Sequence, residues 1–321
     1  MNMLLRYLAR YWYVSLGHYG MRAWAASVLR SLRVLRWPGR HRTLCGCTVY
    51  HRYVARDADA DVFHHLSHRD YLSRHFTPAE RVACMLDHYG FESAAFDEDY
   101  QRQVYGGGLR LWRHAAGGHE FSIWLKTNQR YLGEGDLNLV MRLGNETLHR
   151  IGFNWVDATI AAMHAAIVPF IARNQGRWRD ELSDVLYAAF EASFPNNAPA
   201  YFCVAAMAGL AAAVGARQLL CVKSDMALSR MLRSKQGYPA AYDSFWDAFG
   251  GTRSGKGCHV IPLPFQFKDL QQLASKHRKR AAARRAWWTE IGTAAHTTLH
   301  GHLRNAPHAN VHAKVSQEDR Q

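Results

Sequence analysis

Acidic residues are missing from the first 56 positions of this 321-residue chain, which hold ten arginines and no lysine; the first carboxylate is Asp57. A segment of one charge sign cannot neutralise itself through internal ion pairs, so it favours anionic partners. Long apolar runs are missing as well. Arg6 and Arg10 interrupt the N-terminal apolar residues, and residues 159–171 and 202–214 fall short of the ~20 that a membrane-crossing helix needs. Cysteine is sparse and scattered at positions 45, 47, 84, 203, 221 and 258. The one close pair, Cys45 and Cys47, has a single residue between its members, shorter than the two-residue chelating knuckle. A metal held there with His41 or His51 is the weaker reading, and no metal site is expected. Cys203 and Cys221 lie in apolar runs, so the thiols read as reduced and the protein as cytoplasmic. Also absent are a phosphate-binding Walker loop, a Rossmann glycine fingerprint and a nucleophile elbow with its Ser-His-Asp order.

What is present is enough apolar material for a folded core, 48% hydrophobic and 12% aromatic, under a formal net charge of +14 and a pI near 9.7. Such a surface prefers nucleic acid, anionic lipid or acidic protein. Nucleic-acid binding rests on charge alone and is expected to be non-specific. Leu29, Leu32 and Leu35 alternate with Arg30, Arg33 and Arg36 every three residues, which gives adjoining leucine and arginine faces on a helix. That segment reads either as a docked helix with a solvated face or as one lying on an anionic membrane surface.

The pattern along the chain predicts an α+β fold. Residues 1–105 read as a helical front region, broken at Pro38-Gly39, with a second helical stretch over 60–90 opened by Thr77-Pro78-Ala79-Glu80 as N-cap and first turn. Residues 106–298 read as the core. In it an antiparallel meander over 109–114, 120–127, 137–143 and 147–154 is punctuated by glycine turns. A buried strand over 165–172, helices over 180–194 and 200–214, a buried strand over 218–222, helices over 226–235 and 242–249, and a last strand over 259–262 follow. A long basic helix over 269–298 closes the fold. The His-rich residues 299–321 read as a disordered tail.

Candidate site residues are few. Glu134, between Gly133 and Gly135, is not needed for turn chemistry and is the best carboxylate for a site, whereas turn chemistry accounts for Asp136. Asn174-Gln175-Gly176 reads as a loop before a helix, able to present amides to a phosphate. His88 reads as a structural histidine. Seven Lys/Arg against one acid between Lys268 and Arg285 read as a docked helix with solvated charges, anchored by Trp287-Trp288. Tyr242, Phe245 and Trp246 share one helix side and read mainly as packing.

Taken in order, Asp70-Tyr71-Leu72, Arg81, His88-Tyr89-x-Phe91, Tyr131-x-x-Glu134-Gly135-Asp136-Leu137, Gln175-Gly176, Tyr242-Asp243-x-Phe245-Trp246, Gly250-Gly251, Leu263-Pro264 and Ser275-Lys276-x-Arg278 resemble the VirK/YbjX family of Gram-negative bacteria. The resemblance implies a link to virulence, stress and DNA-damage responses, and resistance to host antimicrobial peptides. It implies a place at or near the cell envelope, peripheral to the inner membrane, with anionic lipid or an envelope protein as partner. It carries over no catalytic residue. The chain departs from the family pattern at 193–197 and at 223–227, where polar family residues are replaced. A second reading comes from the order of elements, which resembles the acyl-CoA N-acyltransferase layout. There acyl-CoA would lie against Asn174, Gln175 and Gly176, with Glu134 as base and Ser224 or Tyr242 near the acyl group.

Overall fold

Strict alternation in the central strands sorts their side chains onto two faces, and that sorting organises everything around them. A computed structural model describes residues 2–17, 20–55, 62–127, 133–176, 181–229, 242–254 and 256–304. Strands β1 (Leu109–Ala116), β2 (His119–Thr127), β3 (Leu137–Leu143), β4 (Glu146–Asp157) and β5 (Ile167–Gly176) form an antiparallel meander. The chain then crosses through α6 (Glu181–Ser193) and α7 (Pro199–Ala213) to β6 (Gln218–Val222), which runs parallel to β5. The hairpin of β7 (Thr252–Arg253) and β8 (Cys258–Pro262) adds β8 beside β6 and leaves β7 at the edge, giving the order β1-β2-β3-β4-β5-β6-β8-β7. The expected α+β architecture holds, with its helical front, meander, mixed back half and closing helix.

One face carries Phe121, Ile123, Leu139, Met141 and Ile151, all buried. Their burial drives the docking of α6 and α7, at roughly 1.5–3 kcal/mol for each large side chain. Phe121 meets Phe190 and Phe194 of α6 at ring distances of 5.9 and 4.9 Å. Helix α9 (Ser275–His300) straps α7, and the two backbones approach so closely that a Cβ on Gly209 would sit 2.1 Å from the Gly292 carbonyl oxygen. Trp287 packs edge-on against Phe194 at 5.1 Å, and Trp288 stacks on Tyr201 at 5.4 Å. Arg278, Lys279 and Arg280 stay exposed. The basic helix is a strap with solvated charges, as its sequence indicated.

The front is built from α1 (Asn2–Leu16), α2 (Met21–Ser31), α3 (Pro38–Gly46), α4 (Pro78–Ala95) and α5 (Glu98–Gly106). Pro38 opens α3 rather than ending structure, because a proline at the first helical position sacrifices no hydrogen bond. The Thr77 capping box forms in full. Residues 62–77, expected to be helical, yield only the 3₁₀ turn Phe63–Ser67. Helix α5 went unread, although Asp97 accepts from the Tyr100 amide at 2.7 Å with Glu98 and Asp99 in the first turn. The closing helix starts at Ser275, not 269, since Leu270–Gln272 is a separate 3₁₀ turn. Residues 301–304, assigned to a disordered tail, are ordered. Leu303 bridges Phe96, and the Asp97 and Arg304 amides bond across the junction to the carbonyls of His302 and Ala95. The helix expected over 226–235 lies beyond residue 229 outside the described residues, as does the tail after 304.

Candidate functional site

The one parallel pair of the sheet is short. Strands β5 and β6 match at Phe170↔Leu220 and Ile171↔Cys221, after which β5 continues to Gly176 along β4 while β6 ends at Val222. Ala172 is the extra residue of a bulge opposite Gly152 and Phe153, and a bulge bends the strand that carries it. The carboxyl ends of two parallel strands therefore part here, the place where open mixed sheets accept ligands.

Glu134 reaches this splay because two glycines let its loop lie flat on the sheet. A Cβ on Gly152 would meet the Glu134 carbonyl oxygen at 2.2 Å, and one on Gly135, whose φ is +106°, would meet the Phe153 amide nitrogen at 2.3 Å. The carboxylate Oε2 of Glu134 lies 3.6 Å from the Arg173 guanidinium, in a pair whose side chains are 12% and 5% exposed. Its Oε1 is buried without a hydrogen-bond partner. Arg173 Nε donates to Gln175 Oε1 at 3.1 Å, and Gln175 Nε2 donates to Ser229 Oγ at 2.6 Å. A chain of polar groups thus runs from Glu134 to the segment after β6.

The other side of the splay is held by α8 (Asp243–Asp247). The buried Tyr242 hydroxyl accepts the Asn174 amide at 3.2 Å, spanning the space β6 would have filled. Ser224 donates to Asp243 through both its amide, at 3.0 Å, and its hydroxyl. His259 Nε2 contacts the same carboxylate at 3.1 Å. Burial pushes the Asp243 carboxyl up, but the bonds from Ser224 and His259 outweigh it and hold it below the usual aspartate range. Because the carboxylate stands between hydroxyl and imidazole, His259 is not placed to take a proton from Ser224. The trio fixes α8 to the end of β6.

Asn174, Gln175 and Gly176 do not form the loop read from the sequence. They are the last residues of β5, paired with Ile151, Arg150 and His149, and the Asn174 amide is given to Tyr242. The glycine at 176 is a packing requirement: a Cβ would meet His149 Nδ1 at 2.4 Å and the Tyr187 hydroxyl at 2.5 Å. His149 bonds Asn174 Oδ1 at 2.7 Å, and burial lowers its pKa to about 4, so a neutral ring donates there. Asp136 is likewise no turn residue. It lies buried and accepts from the Tyr71 hydroxyl, from Asn154 Nδ2 at 2.9 Å, and gives its amide to Asn154 Oδ1 at 2.7 Å. His88 is structural as expected: fully buried, with Nδ1 accepting the Trp155 amide at 3.3 Å.

Glu134, Gln175 and Tyr242 therefore gather about the splay, and Ser224 adjoins Tyr242 through Asp243. Arg173, Ser229 and His259 were not singled out from the sequence. Arg173 and Ser229 join the site only through strand register and chain crossover, which no local pattern announces. Cys45 Sγ lies 3.7 Å from His41 Nε2, and among the described residues no group of three His, Cys, Asp or Glu gathers as metal ligands would. No described helix is long and apolar enough to cross a membrane. No curated protein and no solved structure matches the chain. The sequence profile of one family, described as a protein of unknown function (DUF535), matches residues 52–297. Those residues take in α4, the meander, the splay and most of α9, so the candidate site is built wholly from the family region, and the chain belongs to the DUF535 family.

Proposed function

We propose that the protein works at an anionic membrane surface, held there by its front helical pair, with the splay as its working site. The observation that carries this reading is where the surface is apolar. Among the described residues eight large hydrophobics are exposed, and six of them, Leu5, Tyr13, Leu16, Met21, Leu29 and Leu32, fall in the first two helices and the turn that follows. Tyr13 and Met21 are 81% and 80% exposed. At about 100° per residue, Leu4 and Leu8 of α1 point into the core, Leu5, Leu16 and Tyr13 share an adjoining arc of about 80°, and Arg6 and Arg10 follow it. Arg22, Arg30, Arg33 and Arg36 extend the charge, all exposed. Apolar groups beside arginines with no carboxylate suit an interface of acyl chains and anionic head groups, where each arginine contributes roughly 1 kcal/mol. The VirK/YbjX resemblance, with its link to the envelope and to antimicrobial-peptide resistance, agrees with this reading.

Flotation with vesicles tests it. Binding to vesicles containing a third phosphatidylglycerol is expected to exceed binding to pure phosphatidylcholine by tenfold or more, and Tyr13→Asp with Met21→Asp is expected to remove most of it. Binding indifferent to lipid charge and to both substitutions would sink the reading.

A second reading, an acyl-CoA-dependent N-acyltransferase-like enzyme, is favoured by the strand order and by the short parallel pairing of β5 with β6 beside the bulge of β5 against β4. The residues fit the cofactor poorly. Residues 174–176 are strand rather than a loop before a helix, the Asn174 amide is given to Tyr242, and the first turn of α6 carries Glu181 and Asp184, which oppose a pyrophosphate there. Calorimetric titration with acetyl-CoA and a long-chain acyl-CoA decides it, and the absence of heat at millimolar ligand removes the enzyme reading.

A further inference from the structure

Three imidazoles lie where the front helical pair meets the family region. His64 and His65, on the 3₁₀ turn Phe63–Ser67, have ring centroids 3.8 Å apart, and His68 just after the turn lies 5.5 Å from His65 and 6.4 Å from His64. Tyr11 of α1 packs against His64 at 3.7 Å and meets His65 edge-on at 5.7 Å. Arg30 of α2 and Arg33 of the 3₁₀ turn Leu32–Arg36 act on His68 through their charge. The turn that carries the histidines is thus the seat of the front pair, whose Leu4, Leu8 and Val34 join the core.

The charges that act on His65 and His68 are of one sign. Arg69 acts on both, beside Arg30, Arg33 and the neighbouring imidazoles. Residues 1–56 hold no carboxylate, and among the described residues none pairs with Arg30, Arg33 or Arg69. Asp70 is held by Arg81 of α4, which also donates to the Arg69 carbonyl oxygen at 2.8 Å. From α3 the facing group is His41, edge-on to Phe63 at 5.0 Å. A second proton is therefore poorly received. His65 Nδ1 is buried without a hydrogen-bond partner. His68 Nδ1 meets Ser67 Oγ at 3.1 Å, and that hydroxyl gives its own proton to the His64 carbonyl oxygen at 2.8 Å, so Nδ1 donates and protonation adds its charge at Nε2. Burial first, then His64, Arg69 and His68, holds the His65 pKa well below the usual histidine range. Burial, then Arg69 and Arg30, lowers that of His68 to about 4, against a bond to the His64 backbone that raises it.

We propose that His65 and His68 form an acid-sensitive latch, which keeps the front pair docked near neutral pH and releases it as pH falls toward 5. Undocking returns both imidazoles to water, where they titrate at about 6.5. Because docking lowers their pKa values, it is at full strength above that value and weakens as pH falls toward 4. Each added proton places a positive charge among Arg30, Arg33 and Arg69. Alone, helices of 15 and 11 residues are marginal in water, so release also melts them. The latch rests on the docking geometry alone. Under the membrane reading it regulates the same front pair, freeing its buried leucines for the bilayer.

Hydrogen exchange read by mass spectrometry, without lipid and corrected for the intrinsic rate, tests it at pH 7 and pH 5. Protection of residues 2–31 in the parent protein is expected to fall by about tenfold or more between the two, while that of α7 holds. His65→Gln with His68→Gln is expected to remove most of that fall. A fall of the same size in the variant overturns the latch. So does an equal fall in α7, or protection of residues 2–31 that is absent at pH 7 or unchanged at pH 5. Circular dichroism checks that the variant is folded. If it is not, His68→Gln alone is compared with His119→Gln, at an exposed histidine of β2. A smaller fall in the first than in the second supports the latch, and equal falls overturn it. With no lipid present, this result and the flotation result fail independently.

Discussion

Gly135→Ala is expected to destabilise the protein by roughly 3–5 kcal/mol, although it adds only one methyl group. Two effects sum there. The residue sits at a φ of +106°, where an L side chain is strained by about 1–3 kcal/mol, and its Cβ would lie 2.3 Å from the Phe153 nitrogen and 2.6 Å from the Gly152 carbon. Backbone in the centre of a paired sheet cannot move aside as a flexible side chain would. Relief would come by lifting residues 133–136 off β4, which would carry Glu134 away from Arg173. The comparison is Gly144→Ala, at a φ of +56° with nothing within 4 Å of its Cβ, where about 1 kcal/mol is expected. Urea melts of both variants read the difference. Equal losses would mean that the loop does not rest on the sheet as described.

A second large effect is expected from Glu92 and its dependence on pH. This carboxylate is fully buried between α4, α5 and β4, and takes hydrogen bonds from Tyr100 at 3.0 Å, Trp155 at 2.8 Å and Tyr105 at 3.2 Å. Burial pushes its pKa up to about 7 from the ordinary 4.5, and the three donors only partly offset that. The folded state therefore binds the extra proton between those two values. Stability from this group is full below about 4.5 and is lost as pH rises through 7, by about 3 kcal/mol in total. Glu92→Gln abolishes the titration. The stability of the parent minus that of the variant is expected to fall by most of that amount between pH 5 and 8. His88 and His149, each depressed to about 4 by burial, act in the opposite sense, losing stability as pH falls from 6.5 toward 4. Both are present in parent and variant, so they cancel in the difference. Parallel curves for the two proteins across this range would refute the shift.

Much of the architecture was legible because local rules agree with the final packing. Glycines marked the turns of the meander, and Thr77-Pro78-Ala79-Glu80 marked the start of α4. Helix α5 was missed although its cap is written in Asp97, because a nine-residue helix carries little periodicity. The C-terminus of β5 was read as a loop because Asn-Gln-Gly looks like turn chemistry. In the sheet the same residues are tied by His149, Tyr242 and Ser229, which lie 25 to 68 positions away. Asp136 was misread for the same reason, since its partner Tyr71 stands 65 residues earlier.

From its sequence alone this chain was bound to be a basic α+β protein with an arginine-rich, acid-free front and no membrane-crossing helix over its described length. Composition and short-range periodicity are local properties, and they fix such features directly. Only the tertiary structure decided which side chains would meet. Glu134, Gln175 and Tyr242 meet because β5 is bulged and β6 stops short. Contacts of that kind depend on how distant segments pair, and a linear pattern holds no record of it.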